Sequence, residues 1–175
     1  MTGPESCGKT TLASKLVETL QVPLVPEVSR DYLNQKISRD SYFHYSEPDL
    51  LEIASQQHST EQHALEKLPP LLICDTDLLT LIIWSEVRFG HCHAWIQNTF
   101  ETTMHDPDRH YFLCDYHVPW QPDPLRESPD SRAELYALYQ QKLEHYGIPF
   151  TVIGGTVEER MKLSMEFIGE KIGAH

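Results

Sequence analysis

Residues 3–10 read Gly3-Pro4-Glu5-Ser6-Cys7-Gly8-Lys9-Thr10 and match the pattern G-x-x-x-x-G-K-[ST]. In this pattern consecutive backbone N–H groups curl around a phosphate, and the helix that follows points its positive end at the same anion. We therefore predict that these residues, with Thr11, form a loop that binds the phosphates of a nucleotide. Lys9 is expected to reach the β- and γ-phosphates, and the Thr10 hydroxyl to ligate Mg²⁺.

The loop lies close to the start of the chain, since only Met1 and Thr2 precede it. A phosphate loop normally leaves the end of a buried strand of about five residues. We therefore expect the first strand of the sheet to be missing from this sequence, and the native chain to begin further upstream.

The composition is that of an ordinary globular chain. Its 175 residues fit one domain, over 1–175, with a hydrophobic core of its own. The formal net charge of −12 argues against a general binder of nucleic acids or anionic membranes, because both need a basic face. No apolar run approaches the roughly 18 residues needed to span a bilayer, and the four cysteines follow no secreted disulfide pattern. We expect a cytoplasmic protein without nucleic-acid or membrane partners.

Short apolar segments alternate with helical periodicities along the chain. Strands are predicted over residues 22–25, 70–74, 110–114 and 149–153. Helices are predicted over residues 10–20, 46–67, 78–87, 95–103 and 131–146, with a short helix within 27–37. Ser131 and Glu134 are expected to cap the helix over 131–146, and Thr156 and Glu159 to cap a last helix. This alternation predicts an α/β fold in which helices cover both faces of a parallel sheet. The stretch 118–126 is too rich in proline for helix or central strand, and we assign a lid to about residues 117–131.

Two carboxylates, Asp75 and Asp77, follow the predicted strand 70–74. Open α/β sheets present ligand-binding groups at the carboxyl ends of their strands. Carboxylates in this position hold the metal of a phosphate-loop site, directly or through water. The alternative is that they cap the next helix, since aspartate favours that position. Capping by Asp77 is compatible with metal binding by Asp75.

Glu27 follows the second predicted strand, with Arg30 close behind. A carboxylate in this place can face the γ-phosphate and take a proton from an attacking hydroxyl. Arg30 can neutralise phosphate charge or pair with a nearby carboxylate. Glu27 is our first candidate for the base, and Asp75 and Asp77 are the competing candidates.

The proline-rich stretch carries Trp120 and Arg126. An arginine on a mobile segment is how many phosphoryl-transfer enzymes close over developing charge. Trp120 is expected either to stack on a planar, preferably cationic, ring or to anchor the stretch by packing. Three other aromatic residues, Trp84, Phe89 and Trp95, are interpreted as core.

Four segments in this order resemble the AAA_28/NadR-type ATP-binding family. They are G-P-E-S-C-G-K-T-T-L from residue 3, P-E-V-S-R-D-Y-L from residue 26, C-D-T-D-L-L-T from residue 74 and P-W-Q-P-D-P-L-R from residue 119. The first is shared by very many proteins, whereas the last two in this order are much more specific. The resemblance extends from residue 1 to about residue 170. The best-defined member of the family is the ribosylnicotinamide kinase domain of NadR regulators.

The resemblance implies a P-loop kinase fold and transfer of the ATP γ-phosphate to the 5′-hydroxyl of nicotinamide riboside. It also implies roles for residues at matching positions. For ATP and Mg²⁺ these are Lys9, Thr10 and, at the turn near the adenine, Gly154 and Gly155. For the catalytic centre and the riboside they are Glu27, Arg30, Gln57, Asp75 and Asp77, and for the lid Trp120, Asp123 and Arg126.

One departure from the family pattern lies in the lid. The usual D-G-L-R reads Asp123-Pro124-Leu125-Arg126 here. Proline removes an N–H and fixes a backbone angle that glycine leaves free, so the lid can be stiffer. The adenylyltransferase and DNA-binding parts of NadR regulators have no counterpart in these residues, and no repressor role is carried over.

The sequence leaves two rival functions open. One is a kinase of another nucleoside or metabolite, which would differ only in the base pocket. The other is a nucleotide-binding switch that transfers no phosphate. Glu27 and the lid arginine favour chemistry, but the sequence does not choose between ATP and GTP, and it does not give the oligomeric state.

Overall fold

The protein is described here by a computed structural model, which covers residues 1–40, 42–123, 125 and 130–172. The helices are α1 (Lys9–Leu20), α2 (Val28–Arg39), α3 (Glu47–Leu65), α4 (Leu78–Phe89), α5 (Ala94–Thr103), α6 (Arg132–His145) and α7 (Val157–Ile172). The strands are β1 (Leu24–Val25), β2 (Ile73–Cys74), β3 (Tyr111–Cys114) and β4 (Phe150–Ile153). The predicted α/β class is confirmed.

The strands form two parallel pairs, β1 with β2 and β3 with β4. Met1 and Thr2 lie between the pairs and bond to both. Thr2 donates to Phe112 O over 2.9 Å, and Cys114 N donates to Thr2 O over 2.9 Å. On the other side, the Met1 amine donates to Cys74 O over 2.7 Å. The phosphate loop therefore leaves the middle of the sheet, as predicted; a start further upstream stays a prediction.

Strands β1 and β2 have two residues each, fewer than predicted. Proline has no N–H to donate to a strand ladder. Pro23 lies just before β1, and Pro69 and Pro70 precede β2. Pro23 still contributes its carbonyl, which accepts from Ile73 N over 3.2 Å. The prolines thus account for strands that are shorter than predicted, and β1 and β2 still pair in parallel.

The side chains of β3 alternate between two cores, one on each face of the sheet. Tyr111 and Leu113 pack with residues of α3, α4, α5 and α6. Phe112 and Cys114 pack with residues of α1 and α7. Such alternation is expected of a strand that is covered on both faces. The predicted arrangement of helices on both faces is therefore confirmed.

The two predicted capping pairs differ in outcome. Thr156 N donates to Glu159 Oε2 over 2.7 Å, and Glu159 N donates to Thr156 Oγ1 over 3.2 Å, so the box at the start of α7 is confirmed. Ser131 precedes α6, but its side chain makes no capping hydrogen bond, so that capping prediction is wrong. Among the helices of the described ranges, none combines the length and the apolar character that crossing a membrane requires.

Candidate active site

A cavity of about 450 Å³ lies between the phosphate loop and the inner faces of α2, α4 and α6. The predicted site residues that line it are Gly3, Pro4, Glu5, Ser6, Cys7, Gly8, Lys9, Thr10, Thr11, Glu27 and Arg30. The cavity thus brings together the predicted nucleotide loop and two residues of the predicted acceptor side. The other predicted site residues that the structure describes do not line the cavity. They are Gln57, Asp75, Asp77, Trp120, Asp123, Gly154 and Gly155.

The backbone of the loop takes conformations that an anion-binding nest requires. Gly3, Ser6 and Gly8 all have positive φ, at 134°, 53° and 84°. A Cβ on Gly3 would lie 2.7 Å from Cys114 O, which is closer than real Cβ contacts come. Gly3 is therefore needed both for its φ and for the close approach of the loop to β3.

Lys9 bends back over the loop that it follows. Its Nζ donates to Gly3 O over 2.8 Å and to Pro4 O over 2.9 Å. Burial opposes the charge on this amine, but nearby groups, Cys7 first among them, raise its pKa above the usual value. Lys9 is therefore a cation at the mouth of the nest, and its reach to the β- and γ-phosphates stays a prediction.

Cys7 packs under the loop, where its side chain is buried. Burial opposes ionisation of the thiol, but a hydrogen bond with Cys114 and the charges of Lys9 and Arg160 lower its pKa. Lys9 Nζ lies 3.7 Å from Cys7 Sγ. A packing role for Cys7 agrees with this position.

Arg160, on α7, was not singled out by the sequence. It is 3% exposed, and it donates to the carbonyls of Cys7 and Gly155 and to the Asp115 carboxylate. No local signal could have found it, because an arginine on an amphipathic helix usually lies on the solvent face.

Glu27 is the N-cap residue of α2, directly before Val28, and it lines the cavity. Its Oε1 accepts from Ser29 Oγ over 2.7 Å. The end of β1 therefore places Glu27 at the cavity, and its role as the base stays a prediction.

Gln57, from the middle of α3, holds the backbone on both sides of Glu27. Its Oε1 accepts from Val28 N over 2.9 Å, and its Nε2 donates to Pro26 O over 3.2 Å. The residue is only 1% exposed. The structure thus places Gln57 behind Glu27, and its predicted contact with a substrate stays a prediction.

Arg30 connects α2 to the proline-rich stretch. Its Nη1 donates to Asp123 Oδ2 over 2.7 Å, and this hydrogen bond is the main reason that the pKa of Arg30 is raised. Asp123 Oδ1 also accepts from Leu125 N over 2.9 Å. One carboxylate therefore fixes both Arg30 and the local turn of the stretch.

Trp120, on the same stretch, lies beside Arg132, whose guanidinium carbon is 5.6 Å from the ring centre. This contact agrees with the packing alternative for Trp120. The next residue, Gln121, donates its N–H to Ser6 Oγ over 3.1 Å, so the stretch touches the phosphate loop. Arg126 and Pro124 lie outside the described residues, and the closing arginine stays a prediction.

Asp75 and Asp77 diverge, although residues two apart on a strand share a face. The reason is Thr76, whose φ of 75° breaks the extended conformation between them. Asp75 is 2% exposed, and within the described residues its Oδ1 has no hydrogen-bond partner. Asp77 caps α4, since its Oδ1 accepts from Leu79 N over 3.2 Å.

The second oxygen of Asp77 is also engaged, because Tyr111 donates its hydroxyl to Oδ2. Arg109 lies 3.8 Å from the same oxygen and pairs with Glu61. Burial raises the pKa of Asp77 despite Arg109. This buried cluster supports the capping alternative for Asp77, and a catalytic role for it stays a prediction.

The two residues predicted to hold Mg²⁺ both carry oxygen donors that suit it, but only Thr10 lines the cavity, and the metal site stays a prediction. Asp75 offers a buried oxygen that is otherwise unpartnered in the described ranges. No cluster of three His, Cys, Asp or Glu side chains able to hold a metal occurs in that part of the chain. Mg²⁺ needs none, because it is commonly bound by one or two protein ligands with phosphates and waters.

The far wall of the cavity is aromatic. Trp84 donates its indole N–H to the Tyr45 hydroxyl over 2.9 Å, and the two rings meet edge to face at 5.0 Å. The guanidinium carbon of Arg88 lies 5.5 Å from the centre of the Tyr45 ring. Interpreting Trp84 as core was incomplete, since it packs against the core and also lines the cavity. Trp95 is 37% exposed, and its prediction as core is wrong.

A profile of the AAA domain family AAA_28 matches residues 1–160. The chain belongs to this family. It is 26% identical over 175 residues to the trifunctional NAD biosynthesis/regulator protein NadR of Escherichia coli K12, and 25% identical to that of Salmonella typhimurium LT2. These matches cover 98% of the chain and 42% of each relative, so the chain spans less than half of their length. The predicted resemblance is confirmed.

Two solved structures share the fold. A crystal structure of NadR in complex with NR superposes with a TM-score of 0.71 at 17% identity, over 98% of this chain and 50% of that one. Deoxyadenosine kinase from M. mycoides, solved with the products dCMP and dCDP, superposes with a TM-score of 0.67 at 14% identity, over 97% of both chains. The AAA_28 chain therefore has the fold of P-loop kinases, and its family implies nucleotide binding.

Proposed function

We propose that this protein is an ATP-dependent kinase that phosphorylates the 5′-hydroxyl of a nucleoside, with nicotinamide riboside as the acceptor. The observation that carries the proposal is the shared cavity, in which the phosphate loop with Lys9 faces the carboxylate of Glu27. Phosphoryl transfer needs the two substrates held in line and the developing charge stabilised, and little covalent chemistry from the protein.

In this mechanism the loop N–H groups and Lys9 hold the phosphates, and Glu27 orients and deprotonates the attacking hydroxyl. Arg30 neutralises charge beside Glu27. Thr10 and Asp75 would hold Mg²⁺, which would supply charge neutralisation at the phosphates. Asp75 is the competing base, and its buried oxygen favours the metal role instead.

Support for nicotinamide riboside comes from the NadR relatives and from the NadR structure with NR. The aromatic wall of Tyr45 and Trp84 suits a planar base. Another nucleoside is the second candidate, and Arg88 favours it. A guanidinium already lies over the Tyr45 ring, where a cationic pyridinium would otherwise bind best.

The test is to incubate the protein with ATP, Mg²⁺ and nicotinamide riboside and to measure ADP and the mononucleotide. A panel of nucleosides, including deoxyadenosine and cytidine, separates the two candidates. Lys9→Ala should reduce turnover about 10²-fold or more, whereas Lys15→Ala, exposed on the same helix, should not. Turnover that survives Lys9→Ala would contradict the assigned site. Tight ATP binding without transfer to any nucleoside would point to a switch.

A further inference from the structure

Arg160 is a buried cation that the mechanism above does not use. It lies in the first turns of α7 and is 3% exposed. Arginine is almost never so deeply buried unless its charge is paired and its donors are satisfied. Its environment must therefore account for the charge and for the five N–H groups.

Four acceptors from three segments surround this guanidinium, and two of them belong to Asp115, whose carbonyl oxygen accepts from Nη2 over 3.4 Å. Nη1 donates to Cys7 O over 2.6 Å, in the phosphate loop. Nε donates to Gly155 O over 3.0 Å, in the turn after β4. Nη2 donates to the Asp115 carboxylate, which follows β3 and neutralises the charge. The planar guanidinium of arginine can donate hydrogen bonds in three fixed directions from its three nitrogens. A lysine ammonium has a single nitrogen and cannot reach the same acceptors with this geometry.

The bond to Cys7 O fixes a peptide plane of the phosphate loop. In a trans peptide the C=O of one residue and the N–H of the next point in opposite directions. The loop therefore presents the Gly8 N–H to the cavity only while Cys7 O points away from it. The guanidinium holds Cys7 O on the outer side, and its Nη1 would lie 3.7 Å from a Cβ on Gly8.

We propose that Arg160 is a positioning residue of the nucleotide site. It locks the Cys7–Gly8 peptide in the orientation that binds phosphate, and it ties the loop to the Gly155 turn. That turn is the one that the family resemblance places near the adenine. A single side chain thus sets the spacing between the phosphate end and the base end of the site. The proposal depends on nucleotide binding and not on the identity of the acceptor.

The test compares Arg160→Met and Arg160→Lys with Lys162→Met, a matched control. Lys162 is exposed on the same helix, and its nearest carboxylate, in Glu166, is 3.9 Å away. Dissociation constants for MgATP and AMP are measured by competition with a fluorescent ATP analogue, at a temperature where thermal unfolding shows each variant to be folded. The dissociation constant for AMP measures binding at the base end of the site. The ratio of the dissociation constants for AMP and MgATP measures the additional binding that the phosphate loop provides.

Arg160→Met should weaken MgATP binding about 10- to 100-fold and lower the preference for ATP over AMP at least about tenfold, since bonds to a charged donor are lost. Arg160→Lys should fall between Arg160→Met and the native protein, and Lys162→Met should stay within about twofold of the native value. The proposal is overturned if Arg160→Met binds MgATP within about twofold of the native protein. It is also overturned if ATP and AMP weaken equally, which would mean a general structural role.

Where Arg160→Met does not fold, Arg160→Lys decides by the same two measurements. A native MgATP affinity and a native ATP-to-AMP ratio in Arg160→Lys then overturn the proposal. An inactive kinase assay with nicotinamide riboside leaves both measurements valid, so the failure of the proposed function is distinct from the failure of this inference.

Discussion

The two sides of the cavity are built in different ways. On the nucleotide side the functional groups are backbone N–H groups, and buried neighbours fix them: Cys114 O lies against Gly3, and Arg160 holds Cys7 O. On the acceptor side the functional groups are side chains, Glu27 and Arg30, which are held by Ser29 and Asp123. In the proposed mechanism, phosphate binding therefore depends on the main chain and its packing, whereas the chemistry depends on a few replaceable side chains.

The largest expected effect is on the acceptor side. Glu27→Gln keeps the size of the side chain and removes its basicity, so kcat should fall about 10²- to 10⁴-fold. KM for ATP should change less than about twofold, because the nucleotide side is untouched. Steady-state kinetics measures both, with Asp31→Asn on the same helix as the control. An unchanged kcat would remove Glu27 as the base and leave Asp75 as the candidate.

On the nucleotide side, Gly3→Ala should reduce stability as well as ATP affinity. The new Cβ would meet Cys114 O at 2.7 Å, and the φ of 134° is strained for alanine. We expect a loss of about 1–3 kcal/mol in the free energy of unfolding, measured by urea denaturation. Gly169→Ala is the control, because within the described residues nothing beyond its own stretch of helix lies within 4 Å of its Cβ position. On a helix this change should be neutral or stabilising. Equal stabilities for the two variants would contradict the close approach of the loop to β3.

Gln57→Ala tests whether the hydrogen bonds of Gln57 to the backbone of Pro26 and Val28 are needed to position Glu27 on the acceptor side. It removes both hydrogen bonds that flank Glu27, and we expect kcat to fall about tenfold with a loss of about 1–3 kcal/mol in stability. Gln56→Ala is the control, since Gln56 is exposed and its side chain bonds only Glu52 among the contacts described. A raised KM for the acceptor at constant kcat would instead favour the substrate contact that the sequence predicts for Gln57.

The smallest expected effect is a pH dependence of stability from His110, at the start of β3. Burial lowers the pKa of His110 to about 4, where the ring stacks on Phe167 and lies 2.9 Å from Thr151 Oγ1. The unfolded chain takes up this proton near pH 6.5 and the folded protein does not. Stability should therefore fall as the pH falls from about 6.5 towards 4, by less than about 1.4 kcal/mol per pH unit.

The measurement is the free energy of unfolding at several pH values for the native protein and for His110→Asn. The native slope between about pH 6.5 and pH 4 should be the steeper of the two. His63→Asn, on an exposed position of α3, is the control and should keep the native slope. Identical slopes in all three proteins would contradict the lowered pKa of the half-buried His110 ring.

The sequence predicts what is local and misses what is tertiary. The loop of residues 3–10 and the carboxylate of Glu27 are placed by a motif and by a strand end, and both line the cavity. Asp77 follows the same rule but is turned aside by Thr76, whose positive φ has no signature in a threonine. Arg160 takes its partner Cys7 from 153 positions away along the chain, so no spacing could reveal it. The partner of Gln57, Val28, is 29 positions away, and only the family resemblance pointed to Gln57.

The two bonds of Lys9 to the carbonyls of Gly3 and Pro4 have a consequence for nucleotide entry. The Lys9 ammonium already donates hydrogen bonds to two carbonyl oxygens of the loop itself. A phosphate that recruits Lys9 must exchange with two carbonyls rather than meet a bare cation. The affinity for a nucleotide then depends on the difference in free energy between the bonds of Lys9 to phosphate and its bonds to the two carbonyls. An occupied lysine also makes the loop less attractive to water and to small inorganic anions, which offer fewer bonds in exchange than a nucleotide does.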